Sequence, residues 1–423
     1  MASLSYVPFS TATNYYLPPT RSSSVRKIVL CCLPSNQEPN GEPITGLRVA
    51  FAAGGTGGHI YPAIAIADEL KVKNPRAEIL FVGSAKSMES TAVRSAGYDF
   101  IAVPCAPLAR PLLSLKNLFL PLRLIKSMIK SYKILREFDP QIVVGTGGYV
   151  SFPLCFIAAL KGITLVIQEQ NAVPGIANWV LSHFADLVFV AFNSTVDSFP
   201  KHKCLVYGNP VRLSLKQEVS KTASLSHFFP NLGDSEGAGL RAKVVLVLGG
   251  SLGANSINIA MLNLYYQMLM ENESVFIIWQ TGVESFNEME SLVRGHPRLL
   301  LRPFLKSMDL AYAAADLLVS RAGAMTCSEI LAAGKPAILI PSPNVSEGHQ
   351  FKNASLMADS AGSSIITEDE LDSITLKSAI EELLGNEDKL LVMSERAFKA
   401  AKPDASAVIV DRILSLVASP LPS

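Results

Sequence analysis

From Leu47 onward, short apolar runs alternate with longer segments of helical pattern. The runs Leu47–Ala53, Glu78–Val82, Phe100–Val103, Gln141–Val144, Thr164–Ile167 and Leu187–Val190 fall in the first half. The second half repeats the style with Val244–Leu248, Val275–Trp279, Leu317–Ser320, Ala337–Ile340 and Ser364–Ile366. Such alternation predicts parallel sheets covered by helices on both faces. Three of the runs end in glycine-rich turns that open helical patterns: GGTGGH at Gly54–His59, GTGGY at Gly145–Tyr149 and GGSLGAN at Gly249–Asn255. One such turn is weak evidence, because any tight strand-to-helix turn favours Gly. Two early and one late imply an α/β chain of two Rossmann-like domains facing a cleft. Glycine lets the backbone approach a phosphate, and the helix N-terminus that follows offers N–H groups and a positive dipole end.

A dinucleotide-binding dehydrogenase is the first alternative. GGTGGH lacks the spaced G-x-G-x-x-G pattern, and Glu78 is only a weak match to the acid expected about 20 residues on. Tyr207–Arg212 (YGNPVR), with its Gly-Asn-Pro turn, reads as the interdomain link. The domains expected are 47–208 and 209–400, after a leader at 1–46 and before a C-terminal helix and tail at 401–423. The helical pattern Ala405–Val417 is expected to pack back across the link, and Asn231–Gly239 to form a surface loop.

The segment Ser320–Glu329 (SRAGAMTCSE) joins a strand end, a glycine, small hydroxyl residues and a helix start. Gly323, Ala324 and Met325 can offer backbone N–H groups there, and Thr326 and Ser328 can add hydroxyls, which together suit an anion. Glu329 is an odd neighbour for phosphate but suits the paired hydroxyls of a ribose. Gln350, in HQFKNA, is a further polar group for the same ligand.

Composition narrows the classes. The 423 residues are 49% hydrophobic and 17% charged with a formal net charge of +1, enough for two domains and without the basic excess of a nucleic-acid binder. The six cysteines show neither metal-ligand spacing nor a disulfide framework. No run is long and apolar enough to span a bilayer. The first 46 residues carry no acid before Glu38 and are rich in Ser and Thr, with Arg21, Arg26 and Lys27, as an organelle transit peptide would be. Hydroxyl residues outnumber arginines, which favours the chloroplast. Between Asp99 and Glu137 there is no acid, while Arg110, Lys116, Arg123, Lys126, Lys130, Lys133 and Arg136 interleave with Leu112, Leu113, Leu115, Leu118, Phe119, Leu120, Leu122, Leu124 and Ile125. An apolar face bordered by bases reads as an anionic membrane surface bound through residues 104–136. The bland alternative is a core helix with a solvated basic face.

In order along the chain, GGTGGHIYPA, GTGGYVSFP, QEQNAVPGIAN (Gln168–Asn178), YGNPVR, GGSLGA, SRAGAMTCSE and HQFKNA resemble MurG, the bacterial family that converts lipid I to lipid II in peptidoglycan synthesis. The resemblance spans about Leu47 to Ile413. It implies GT-B architecture, inverting transfer of GlcNAc from UDP-GlcNAc to the C4 hydroxyl of a polyprenyl-diphosphate-linked N-acetylmuramoyl peptide, and no metal or cofactor. It puts the donor on Thr56, Gly57, Gly58, Asn171, Arg212, Ser251, Leu305 (through its backbone), Ala324, Met325, Thr326, Cys327, Ser328, Glu329 and Gln350. The acceptor diphosphate then falls to Gly54, Gly55, Gly147, Gly148 and Tyr149. The chain departs from the family at Leu252, where Gln is usual, and at Trp279, where a polar residue is frequent; both bear on donor affinity. His59 is the candidate base, since His suits proton abstraction near neutral pH. Its ring can equally brace the loop, and Glu169 and Asn171 are nearby alternatives. The rival readings are a plastid UDP-galactose:diacylglycerol galactosyltransferase and a non-catalytic relic that binds nucleotide sugar or membrane.

Overall fold

The computed structural model describes residues 44–85, 88–105, 118–216, 219–230, 242–343 and 348–418. The leader through residue 43, the loop at Asn231–Gly239, and Arg110, Leu112, Leu113, Leu115 and Lys116 of the basic stretch lie outside them.

Two all-parallel sheets organise the chain from Pro43 onward, which is one compact unit. The N-terminal sheet holds β1 (Arg48–Ala53), β2 (Glu78–Ser84), β3 (Asp99–Val103), β4 (Ile142–Gly147), β5 (Thr164–Glu169), β6 (Leu187–Val190) and β7 (Cys204–Val206). Their order is β3-β2-β1-β4-β5-β6-β7. The C-terminal sheet holds β8 (Lys243–Leu248), β9 (Val275–Gln280), β10 (Leu299–Arg302), β11 (Leu317–Ser320), β12 (Ala337–Leu339) and β13 (Ser364–Ile365), in the order β10-β9-β8-β11-β12-β13. The expected α/β class and pair of Rossmann-like domains are what the chain forms. The sequence pattern does not reveal β7 and β10. Both are short, half-buried edge strands, too brief to carry a periodic signal.

Each sheet reverses its strand order once, between β1 and β4 and between β8 and β11. Crevices for ligands open at such switch points, beyond the carboxyl ends of the strands. The loops there are GGTGGH after β1, GTGGY at the end of β4, GGSLGA after β8 and SRAGAM after β11. The four segments singled out by composition therefore occupy the four places where topology leaves room.

The strands are covered on both faces, as parallel strands require. Along β1, Val49, Phe51 and Ala53 join one buried cluster with Ile60, Ile66 and Leu70 of the Gly57–Lys73 helix. Ala50 and Ala52 join the opposite cluster with Leu80, Val82 and Leu154. The C-terminal helix Ala405–Ala418 packs into the N-terminal domain, with Ile409, Val410, Ile413 and Leu416 in the cluster of Phe51. Lys73 fastens it by bonds to Ala407 O (3.1 Å) and Asp411 Oδ1 (2.6 Å). The chain thus crosses between domains twice, and the second crossing touches the first where Ser406 Oγ donates to Val211 O (3.3 Å).

Ile413→Ala should lower stability by about 2–5 kcal/mol, because it opens a cavity in a closed core. Asp411→Ala should cost under about 1 kcal/mol, because the carboxylate is mostly exposed and Lys73 keeps its bond to Ala407 O. Urea unfolding of the two variants checks the difference.

Candidate active site

The four loops wall a cavity of about 980 Å³. Three residues of β4's glycine turn set its floor. At Gly148 (φ +81°) a Cβ would lie 2.0 Å from Gly54 O, and at Gly147 (φ +100°) one would lie 3.0 Å from His59 Nδ1. Only glycine allows the GTGGY turn to press against the GGTGGH loop and the imidazole. Tyr149 completes that wall.

The helices Gly57–Lys73, after Thr56, and Ala324–Ala332, after Gly323, are among those that present their N-termini to the cleft, and neither has a side-chain cap. The helices beginning at Lys221, Ser373 and Glu387 are capped by Ser220, Asp372 and Asn386. N–H groups without a cap at the end of a dipole are suited to anionic ligand oxygens.

A charged cluster lies between the domains. Arg212 Nε is 3.0 Å from Glu329 Oε1, a close ion pair rather than an aligned hydrogen bond. Tyr312 donates to Glu329 Oε2 (3.0 Å), and the guanidinium sits over the Tyr61 ring, 4.3 Å from its centroid. Burial opposes the Arg212 charge, but Glu329 and the two phenols hold its pKa above the usual value. Burial pushes the Tyr312 phenol well up, with Glu329 adding to the rise, so it remains a donor.

Thr56, Gly57, Gly58, His59, Gly147, Gly148, Tyr149, Asn171, Arg212, Ser251, Ala324, Met325, Thr326, Glu329 and Gln350 all line the cleft. Five expected residues do not. Cys327 points into the core of the C-terminal domain, where burial pushes its thiol up to about 12. Ser328 gives its hydroxyl to Ala324 O and accepts from Asn209 across the domains (both 3.0 Å). Gly54 backs onto Gly148, and the Gly55 N–H points at the buried Glu89 carboxylate (3.4 Å) rather than at the cleft. Leu305 donates its N–H to Gln280 Oε1 (2.8 Å), and the wall beside it is Phe304 and Met308. Helical periodicity explains Cys327: consecutive residues of a helix cannot all face one ligand.

The departures from the family also separate. Leu252 is an exposed part of the cleft wall. Trp279 has no exposed surface and donates to Asn258 Oδ1 (3.0 Å), so it is a core residue. Strand alternation turns its neighbour Gln280 to the cleft instead, held by Gly250 O (3.0 Å).

Sequence reasoning passed over Tyr61, Gln280 and Tyr312. Tyr312 had no signal, since AYAAAD carries no motif. Glu169, an alternative base, is consumed by structure: Asn171 N and Nδ2 donate to Oε1 (3.0 and 3.1 Å), and Gly175 N and Asn178 Nδ2 to Oε2 (3.1 and 2.9 Å). Gln350 accepts from Ser342 N (2.9 Å).

Residues 49–190 match the glycosyltransferase family 28 N-terminal domain, and residues 244–409 match that family's C-terminal domain. The chain belongs to glycosyltransferase family 28 and, within it, to the MurG family. It is 43% identical over 373 residues to the UDP-N-acetylglucosamine--N-acetylmuramyl-(pentapeptide) pyrophosphoryl-undecaprenol N-acetylglucosamine transferase of Christiangramia forsetii, covering 88% of this chain and 98% of that one. To the protein of the same name in Salinibacter ruber it is 39% identical over 369 residues, covering 87% and 96%. The crystal structure of Acinetobacter baumannii MurG matches with a TM-score of 0.63 at 26% identity, over 87% of this chain and 99% of that one. An S. aureus MnaA–UDP structure, at 14% identity and a TM-score of 0.62 over 89% and 99%, shares the fold. The architecture is GT-B.

Arg212→Ala should destabilise the folded protein by up to about 3 kcal/mol, the low end for a broken buried pair, because Arg212 is partly exposed. Adding Glu329→Gln should recover most of that loss. Thermal unfolding of the single and double variants, without ligand, is the measurement.

Proposed function

We propose that this protein is an inverting glycosyltransferase that moves GlcNAc from UDP-GlcNAc to the C4 hydroxyl of a polyprenyl-diphosphate-linked N-acetylmuramoyl peptide. The observation that carries this reading is the cleft at two facing switch points, in a chain aligned along nearly its whole folded length with MurG transferases. The C-terminal side is the donor side. The Ala324–Ala332 helix N-terminus and Arg212 meet the negative charge that grows on departing UDP, an oxyanion-hole type of stabilisation. Glu329 keeps acceptor capacity beyond its bonds to Arg212 and Tyr312, because a carboxylate has about four lone-pair sites. Its role is to accept from the ribose hydroxyls. On the other side, His59 takes the acceptor's proton, and Gly147, Gly148 and Tyr149 border the acceptor diphosphate.

A lipid substrate calls for a membrane surface, and the Leu120–Phe138 helix has one buried face and two exposed stripes that suit such a surface. Ser127, Ser131, Ile134 and Leu135 are buried against the domain. Leu118 and Phe119, just before it, and Leu122, Ile125 and Ile129 are exposed apolar residues. Exposed Arg123, Lys126 and Lys130 each follow one of that stripe by a single residue, so a basic stripe runs beside it. Ile176, Trp179 and Phe184 are also exposed, while Leu120, Leu124, Phe152 and Val180 line the cleft. A core-helix reading leaves these exposed side chains unexplained; docking on an anionic membrane accounts for both stripes. We further propose a chloroplast location, peripheral on an inner membrane surface, from the composition of residues 1–46.

Turnover of lipid I with UDP-GlcNAc rather than UDP-galactose is the deciding assay. It should persist in EDTA; loss restored by Mg²⁺ would contradict stabilisation by protein donors alone. Glu329→Ala should weaken UDP-GlcNAc at least about tenfold, as expected for a lost charge-assisted hydrogen bond; isothermal titration reads this. Replacing Arg123, Lys126 and Lys130 with Gln should reduce binding to anionic vesicles, since each base near such a surface contributes about 1 kcal/mol. Turnover of a short-chain soluble acceptor should survive. Unchanged vesicle binding would make the stripe structural.

A further inference from the structure

We propose that Gln170 is a positioning residue that locks His59 in its Nδ1–H tautomer, so that Nε2 presents a lone pair to the acceptor hydroxyl. The inference rests on His59 as the base and goes beyond it by naming which nitrogen acts and what decides it.

Three buried amides, Gln168, Gln170 and Asn209, fix one another's orientation. Asn209 Nδ2 lies 3.0 Å from Gln170 O and 3.0 Å from Ser328 Oγ. A backbone carbonyl only accepts, so this end of the Asn209 amide is its NH₂ group. Asn209 Oδ1 therefore faces Gln168 and accepts from Gln168 Nε2 (3.0 Å). That turns Gln168 Oε1 toward Gln170. Gln170 Nε2 donates to it, and lies 2.8 Å from Thr146 O and 3.2 Å from Gln168 O. Reversing the Gln170 amide would set its oxygen against three acceptor oxygens. With both N–H bonds committed there, only Gln170 Oε1 faces the imidazole, 3.1 Å from His59 Nδ1. An amide oxygen can only accept, so Nδ1 carries the proton, and in the neutral ring Nε2 is the base.

The ring has little freedom to escape this. Thr146 Oγ1 donates to His59 O (2.7 Å), and the imidazole rests on the backbone of Gly147 and Gly148. Among the described residues Nε2 has no hydrogen-bond partner, and His59 lines the cleft. Glu169 is spent on its own loop, so the group orienting the imidazole is a neutral amide rather than a carboxylate.

The unsubstituted full chain with UDP-GlcNAc bound, labelled with ¹⁵N-histidine, reads the tautomer directly. Comparison with His59→Gln assigns the signals. The His59 pair should show a protonated Nδ1 and a bare Nε2; a protonated Nε2, or an even mixture, would overturn the inference. In Gln170→Leu the tautomers should mix and kcat fall about 10- to 100-fold, within the range of general-base contributions, with KM for UDP-GlcNAc within about twofold. A rise in KM at unchanged kcat would mark Gln170 as a binding residue and overturn its role. Full turnover by His59→Ala would sink the base assignment instead, whatever the tautomer in the spectrum.

Discussion

A parallel sheet that grows outward in both directions from its first strand must reverse its strand order, and the loops on either side of the reversal diverge. Everything functional in this protein depends on that constraint being met twice. In one domain the divergence lies between β1 and β4, and in the other between β8 and β11. Placing the two gaps face to face gives a cleft with helix N-termini on both sides. Each domain supplies one of these helix N-termini to that cleft, while Arg212 and Glu329 come from the C-terminal side and His59 from the N-terminal side. The second crossing of the chain, through the Ala405–Ala418 helix, ties the C-terminal end to the N-terminal core and limits how the halves can separate.

Inside the cleft, polar groups are costly to leave unpaired, and the protein answers with pairing across domain boundaries. Arg212 ends the interdomain link, Glu329 lies on the helix after β11, and Tyr61 comes from the first helix of the other domain. Asn209 reaches Gln168 and Gln170 on one side and Ser328 on the other. Ala172 N likewise donates to Asn353 Oδ1 (3.3 Å), whose Nδ2 donates to Ala322 O (3.1 Å). These contacts define the relation of the domains through directional bonds rather than through a large apolar interface. Such an interface can open for substrate without exposing a core.

The Leu120–Phe138 helix belongs to the same economy of surfaces. A helix that serves only the core needs one apolar stripe; this one carries a buried stripe and an exposed stripe, separated by bases. Its first turn reaches the cleft through Leu120 and Leu124, so the exposed apolar stripe and the cleft wall are parts of one helix.

The sequence by itself determined the α/β class, the three glycine turns, the helix start after β11 and the basic-apolar stretch, because strand alternation, glycine and local charge are properties of neighbouring residues. It also pointed to most of the cleft wall, since binding loops at strand ends are contiguous in sequence. What it could not determine was direction. Cys327, Ser328 and Trp279 sit among site residues in the sequence, yet helix and strand geometry turns them to a core, a neighbouring domain and a core, respectively. The partners were equally hidden. Tyr312 meets Glu329 and Gln170 meets His59, across 17 and 111 residues of chain. Only folding decides such contacts, because a hydrogen bond depends on distance and angle between groups that no local pattern brings together.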